Sequence, residues 1–588
     1  MTPRLRALAF VVAGSAVSAA CRPPAPSGLP APRATTSEIA SFPATWALPA
    51  GGRATTTRES MVASNAPLAS AAGATILAAG GTAVDAAVAT GFALAVAYPE
   101  AGNIGGGGYS VIRLADGRTA VIDYREIAPR AATRDMFIDP TTGQANDRSV
   151  VGHLASGVPG AVAGLLAVHE RFGTLPRAQV MAPALALARD GFVVDSAFAA
   201  SVKRDSTLIC RFAGCATFFP ERRAPRAGDT FRQPTLARTL QRISEDGARG
   251  FYEGSVAAAI AAEMQRGGGL ITTADLAAYT PAWRTPLQGT YRGHTILAMP
   301  PSSSGGITVV EALNILEAFG PAAPRGSVTA LHRTLGALQL AFIDRNEYIA
   351  DPDVIAVPVA ELTSRAYAQR QRARLNDARY VPTPSLAPGL AASREASTET
   401  THYAVVDQWG NAVSTTTTIN GLFGSGVWVP EGGFFLNNEM DDFTSRPGQP
   451  NMFGLVQGEA NAVAPGKRML SAMSPTIVLD PQGQVALVVG SRGGPRIISG
   501  VLQVITNVVD HGLSLHDAIA APRMHFQGLP EVVSFESGGF ATPVLDSLRA
   551  MGWTFAPGGS GSPVAIRRTA TGWEGTWDPR AAGGVAGR

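Results

Sequence analysis

Residues 400–420 read TTHYAVVDQWGNAVSTTTTIN. At the start of this stretch Thr401, Tyr403 and Val405 fall on one side and Thr400, His402 and Ala404 on the other, the period of two that marks a β-strand. Gln408, Trp409 and Gly410 then supply a three-residue turn, with the glycine at the left-handed position such hairpin loops need. Residues 412–419 return as a second strand. If Asp407 pairs with Asn411, Thr400 lies directly across from Thr418, and two hydroxyls become neighbours on one face of a hairpin.

Threonine is also simply a good strand former, and a Thr-rich hairpin can be architecture alone. A Thr hydroxyl attacks a carbonyl only when a base sits beside it. One solution is to cut the chain before the threonine, so that its own α-amino group becomes that base. A free α-amine has a pKa of about 7.7–8.0, suited to proton transfer near neutrality.

The blocks around the hairpin extend the reading. TTHYAVVDQWGNAVSTTTTINGLFGSG is followed by FFLNNEMDDF, PGQPNMFGLVQGEANAVAPGKRMLSAMSPTIV and GSRGGPRIISGVLQVI. Upstream stand GNIGGGGYSVIRLADGRTAVIDYREIAPRAATRDMF, SGVPGAVAGL and MPPSSSGG. In this order, from about residue 58 to about residue 580, the chain closely resembles the γ-glutamyltransferases (γ-glutamyltranspeptidases). The resemblance implies an α+β fold, the N-terminal-nucleophile hydrolase αββα sandwich. It implies two subunits of one self-cleaved precursor, a large one over 51–399 and a small catalytic one over 400–588, which stay together as a heterodimer.

It also implies roles. Thr400 is then both the self-processing residue and the nucleophile, cut free from Glu399, and Thr418 holds its amine and assists processing. Gly493 and Gly494, in a turn between a strand and a helix where backbone N–H groups point outward, match the oxyanion pair. A phosphate cradle is the rival reading of that turn, but no Lys-Ser/Thr follows it; a plain tight turn is another. A glutamyl donor carries an α-carboxylate and an α-ammonium. Arg125 and Ser471 match the family's grip on the carboxylate, and Asn420, Glu439 and Asp442 match the acceptors for the ammonium. Read without the family, Arg125 is a surface ion pair and Glu439–Asp442 a calcium-type or solvated turn, though no EF-hand spacing is present. The implied substrates are glutathione or other γ-glutamyl compounds, with water, amino acids or peptides taking the acyl group. The chemistry requires no cofactor and no metal.

The chain departs from the family in two places. Ala472 stands where many relatives have a second Ser, and Phe453 where bacterial relatives often have a Tyr closing the pocket. Weaker donor binding is expected. His402 shares the face of Thr400, but the freed amine already supplies a base, so a structural role is expected for it. HExxH, Walker A and GxSxG patterns are missing, and His511 and His516 fall at a helix end and a loop.

Composition bounds the remainder. The 588 residues are 46% hydrophobic and 16% charged, with 65 Gly and 42 Pro, as in a loop-rich globular protein. The charge of +3 is small for this length and only Lys203 and Lys467 are lysines, so nucleic-acid binding is not indicated. Residues 1–21 read as a secretory signal, too short for a stable span, and Ala19-Ala20-Cys21 resembles a lipoprotein processing site. The expectation is therefore an exported protein, periplasmic or anchored through a lipid on Cys21. Residues 22–50 read as a disordered Pro/Ala/Ser/Thr tether. Cys210 and Cys215 either close a small disulfide loop or remain two buried thiols.

Helices are expected over 66–80, 82–98, 159–172, 177–191, 232–264, 306–319, 328–350 and 360–376, and again over 497–510. Gly105–Gly108 lacks phosphate-loop spacing and is assigned to close backbone packing. An exposed loop over 377–399 would offer the cut without loss of a core. Two other functions fit parts of the pattern: a cephalosporin or glutaryl acylase on the same scaffold, and a non-catalytic, membrane-tethered binding protein.

Overall fold

The computed structural model describes residues 41–388, 400–447, 449, 451–452 and 458–588. The signal, Cys21, Glu399 and Phe453 lie outside the described residues, as do most of the expected tether and the end of the loop before Thr400.

Two seven-stranded antiparallel sheets face each other. The first runs in the order 584–587, 61–64, 401–406, 412–418, 107–113, 119–123 and 282–284. The second runs 55–57, 572–577, 562–569, 485–492, 476–479, 294–298 and 287–291. Helices 67–78, 83–97, 161–172, 177–190 and 234–246 cover the outer side of the first sheet. Helices 305–318, 328–348, 496–509 and 515–520 cover the second. This is the αββα order, with both faces of each sheet buried.

The period of two decides which face goes where. Tyr403, Val405 and Val413 pack into the core beneath the first helix layer, whereas Ala404, Val406 and Ala412 join Ile477, Val488 and Val489 between the sheets. Helix 83–97 is buried along its whole length, and its alanines and Gly91 let the sheet approach closely. Thr82 and Asp85 close a reciprocal capping box at its start.

Several elements differ from the sequence reading. The single helix expected over 232–264 is three, 234–246, 249–252 and 254–267, because Gly247 adopts a left-handed φ of 66° and ends the first. Short helices at 196–204 and 206–211 were not expected. The last ten residues of the expected tether are packed. Trp46 donates its indole N–H to Ala520 O, Arg580 lies over its ring, and Phe42 and Ala50 cover Leu513 and Ala518. Cys210 and Cys215 are disulfide-bonded, with Cα atoms 4.3 Å apart.

Candidate active site

The hairpin has the register the sequence suggested. Thr401 pairs with Thr417 and Val406 with Ala412, and Asp407 N donates to Asn411 O. Thr400, one residue before the strand, therefore stands opposite Thr418 at its end. Both are buried, and their side of the hairpin is the one between the sheets. Gly410 takes the left-handed conformation at φ 95°.

Neighbouring segments fix this end of the hairpin. Asn65 Oδ1 accepts from Thr401 Oγ1 at 3.0 Å and from the His402 amide at 3.1 Å. Asn103 Nδ2 donates to Thr418 O at 2.8 Å. The Gly105–Gly108 run packs as expected: a Cβ on Gly106 would come within 2.1 Å of Thr418 O, and one on Gly105 within 2.1 Å of Phe435 O. Only backbone without side chains fits between these strands.

His402 pairs across the hairpin with Thr416, its Nδ1 2.9 Å from Thr416 Oγ1. Its ring lies against Gly490, where a Cβ would be 2.3 Å from the imidazole. Burial pushes its pKa down to about 3, so it is neutral at physiological pH and packs the two sheets together.

Three residues beyond Gly490 the strand ends in the Gly493-Gly494 turn before helix 496–509. Both glycines have positive φ, 119° and 63°. Among the described residues neither amide has an acceptor, so two N–H groups at the start of a helix remain available to a developing negative charge.

The polar pocket is built around Arg125. Met440 and Phe443 pack with Phe137 and Met469, which turns Glu439 and Asp442 of the intervening 3-10 turn toward the guanidinium. Arg125 Nη1 is 2.6 Å from Glu439 Oε2, and Nη2 donates to Asp442 Oδ2. Nε donates to Met469 O at 3.3 Å and Nη2 to Leu470 O at 3.4 Å. Burial pulls against the charge on Arg125, but Glu439 and Asp442 overcome it and hold the group ionised. Burial also raises Glu439 and Asp442 and, beside them, Glu126. One guanidinium thus faces three buried carboxyls, those of Glu126, Glu439 and Asp442.

Asn420 and Thr418 join this group. Asn420 has a left-handed backbone, φ 68°, held by its N–H to Thr418 Oγ1 at 2.7 Å and its Nδ2 to Asn438 O at 2.9 Å. Its buried Oδ1 has no hydrogen-bond partner among the described residues, as an acceptor awaiting a donor would. Thr418 stands beside Glu439 and favours its ionised form.

Ser471 is buried next to Leu470, and its Oγ accepts from the Met473 amide at 3.1 Å. Its backbone is gripped by a run the sequence reading quoted without assigning a role. The Ser471 amide donates to Ser302 O at 3.1 Å, and Ser471 O accepts from Ser304 N at 2.8 Å and Ser304 Oγ at 2.6 Å. Ser302 Oγ also bonds Tyr109 OH at 2.9 Å and Asp123 Oδ2 at 3.1 Å. The three consecutive serines of MPPSSSGG were the available signal for this clamp.

Thr418, Asn420, Glu439, Asp442 and Arg125 thus form one connected cluster. Thr400 adjoins it through the register, Ser471 through Leu470, and Gly493-Gly494 through the packing of His402 on Gly490.

The fold is that of an N-terminal-nucleophile hydrolase. The sequence model of the gamma-glutamyltranspeptidase family matches residues 69–588, and the chain belongs to that family. It is 46% identical over 549 residues to the glutathione hydrolase proenzyme of Escherichia coli (strain K12), covering 93% of this chain and 92% of that one. It is 39% identical over 536 residues to the acylase ACY 1 proenzyme of Pseudomonas sp. (strain SE83), covering 86% and 93%. The crystal structure of cephalosporin acylase from Bacillus halodurans superposes with a TM-score of 0.80 at 29% identity, covering 94% of this chain and 99% of that one.

Proposed function

We propose that the chain is the precursor of a γ-glutamyl hydrolase and transferase that acts on γ-glutamyl amides such as glutathione. The carrying observation is Arg125 held between Glu439 and Asp442, both signs of charge in one buried place. An α-carboxylate and an α-ammonium entering together would exchange these internal pairs for matched external ones, whereas a lone carboxylate would leave the acids unmatched.

Cleavage before Thr400 frees its amine and yields subunits 51–399 and 400–588. The amine takes the proton of Thr400 Oγ as the oxygen bonds to the γ-carbonyl carbon, and the Gly493 and Gly494 amides hold the oxyanion. The C–N bond breaks, the leaving amine takes the proton, and an ester to Thr400 remains. Water, an amino acid or a peptide then takes the acyl group. Thr418 positions the nucleophile's amine, Ser471 and Arg125 receive the donor carboxylate, and Asn420, Glu439 and Asp442 receive the ammonium. Residues 1–21 support export, to the periplasm or to a membrane through a lipid on Cys21; mass analysis of the mature N-terminal peptide tests this.

Comparing γ-glutamyl-anilide with glutaryl-anilide tests the substrate class. A preference for the γ-glutamyl compound of tenfold or more is expected; a preference for glutaryl would make the chain an acylase instead.

A further inference from the structure

Two buried side chains outside the groups described above, Asn461 and Lys467, tie the walls of the Arg125 pocket together. Asn461 Nδ2 donates to Asp442 O at 2.6 Å, and its Oδ1 accepts from the Leu470 amide at 3.0 Å. Arg125 meets the same two residues from the other side, its Nη2 donating to the Asp442 carboxylate and, at 3.4 Å, to Leu470 O. Arg125, Asp442, Asn461 and Leu470 therefore form a closed circuit of hydrogen bonds. Asp442 belongs to the proposed ammonium side of the pocket, and Leu470 precedes Ser471 on the proposed carboxylate side. One amide spans both sides, its NH₂ serving one and its oxygen the other.

Asn461 is itself bracketed. Lys467 Nζ donates to Ala460 O at 2.6 Å and to Ala462 O at 3.0 Å, the carbonyls on either side of it. Bonds from a charged donor are stronger than neutral ones, so the peptide on each flank is held firmly. The main chain of Lys467 faces the Arg125 segment. Its carbonyl accepts from the Ala128 amide at 2.8 Å, and Gly466 N donates to Ala128 O at 3.0 Å. One lysine thus grips the Arg125 segment through its backbone and the Asn461 segment through its ammonium.

We infer that Asn461 is a positioning residue for the donor site, setting the separation between the Asp442 and Leu470 walls, and that Lys467 holds Asn461 in that place. The inference rests on the γ-glutamyl reading, in which the donor's ammonium and carboxylate engage those two walls at once. Asn461 acts through its neighbours and not on the reacting atoms. Letting one wall shift weakens capture of the donor, whereas Thr400 and the Gly493-Gly494 turn lie outside the circuit and keep the chemical step.

Steady-state hydrolysis of γ-glutamyl-anilide by the processed enzyme, with Tm measured alongside, tests this. Asn461→Leu, which removes both bonds at similar size, is expected to raise donor KM about tenfold or more while kcat stays within about threefold of wild type. Asn461→Ser, gentler on the fold, is read in its place if the leucine variant is not processed. Lys467→Met is expected to raise donor KM about fivefold, and Lys467→Arg, which keeps the charge, to stay within about twofold of wild type. An unchanged donor KM in a processed Asn461 variant, even with a lower Tm, would leave Asn461 a merely structural residue and overturn the inference. Lys467→Arg no better than Lys467→Met would overturn the part assigned to Lys467. The preference of wild type for γ-glutamyl- over glutaryl-anilide is a separate readout, so the inference and the reading beneath it fail separately.

Discussion

Arg125 Nη1 lies 2.6 Å from Glu439 Oε2 with both side chains buried. Such a pair is costly to desolvate. On the proposed function it would receive a zwitterionic ligand, with the carboxylate drawing on Arg125 and the ammonium on Glu439, Asp442 and Asn420 Oδ1, which has no hydrogen-bond partner among the described residues.

Removing Asp442 takes away one ammonium acceptor and leaves Glu439 to neutralise Arg125. A charge-assisted hydrogen bond contributes about 1.5–3 kcal/mol, so Asp442→Ala is expected to raise KM for α-amino donors roughly 10- to 100-fold. Glutaryl donors, which have no ammonium, should change much less. Steady-state kinetics with both donors check this; an unchanged KM for the α-amino donor would remove Asp442 from the pocket.

The Gly493 position is conformationally restricted. Its φ is 119°, and a Cβ there would sit 2.7 Å from Gly561 Cα. Gly493→Ala must therefore turn the peptide and re-aim its amide. Loss of one oxyanion donor costs about 10²–10³ in kcat, and the loss is expected in kcat more than in donor KM. Equal kcat in variant and wild type would place the oxyanion elsewhere.

His402 makes stability depend on pH. Its pKa falls from an unfolded value of about 6.5 to about 3, so below pH 6.5 the unfolded chain binds a proton that the folded one does not. The stabilisation from neutral His402 is complete above 6.5 and is lost as pH drops toward 3, reaching about 2 kcal/mol by pH 5. Tm measured from pH 7.5 to 5 should fall more steeply for wild type than for His402→Gln. Parallel slopes would mean that His402 is protonated in the fold.

What the sequence disclosed was what short-range rules carry. The hairpin register follows from strand period and one turn glycine, so Thr400 and Thr418 could be paired from 21 consecutive residues. The Arg125–Asp442 contact spans 317 positions and has no local signature, so those residues were recognisable only through family resemblance. Ser302–Ser304 escaped assignment because hydroxyls that bind backbone have no periodicity. Gly247 follows Asp246, with Gly250 and Gly254 close behind, and this Asp-Gly pair is a local helix-stop signal that the expectation of one continuous helix passed over. The packing of 41–50 was hidden by a composition typical of tethers, although Phe42 and Trp46 are the aromatics that anchor it.

On the proposed function, activity requires a free amine on Thr400. N-terminal sequencing of the smaller fragment of the active protein, run beside Thr400→Ala, decides this. A fragment beginning Thr-Thr-His-Tyr is expected in the wild type, and a single uncut, inactive chain in the variant. Turnover of γ-glutamyl-anilide by protein in which residues 399 and 400 are still joined would contradict it.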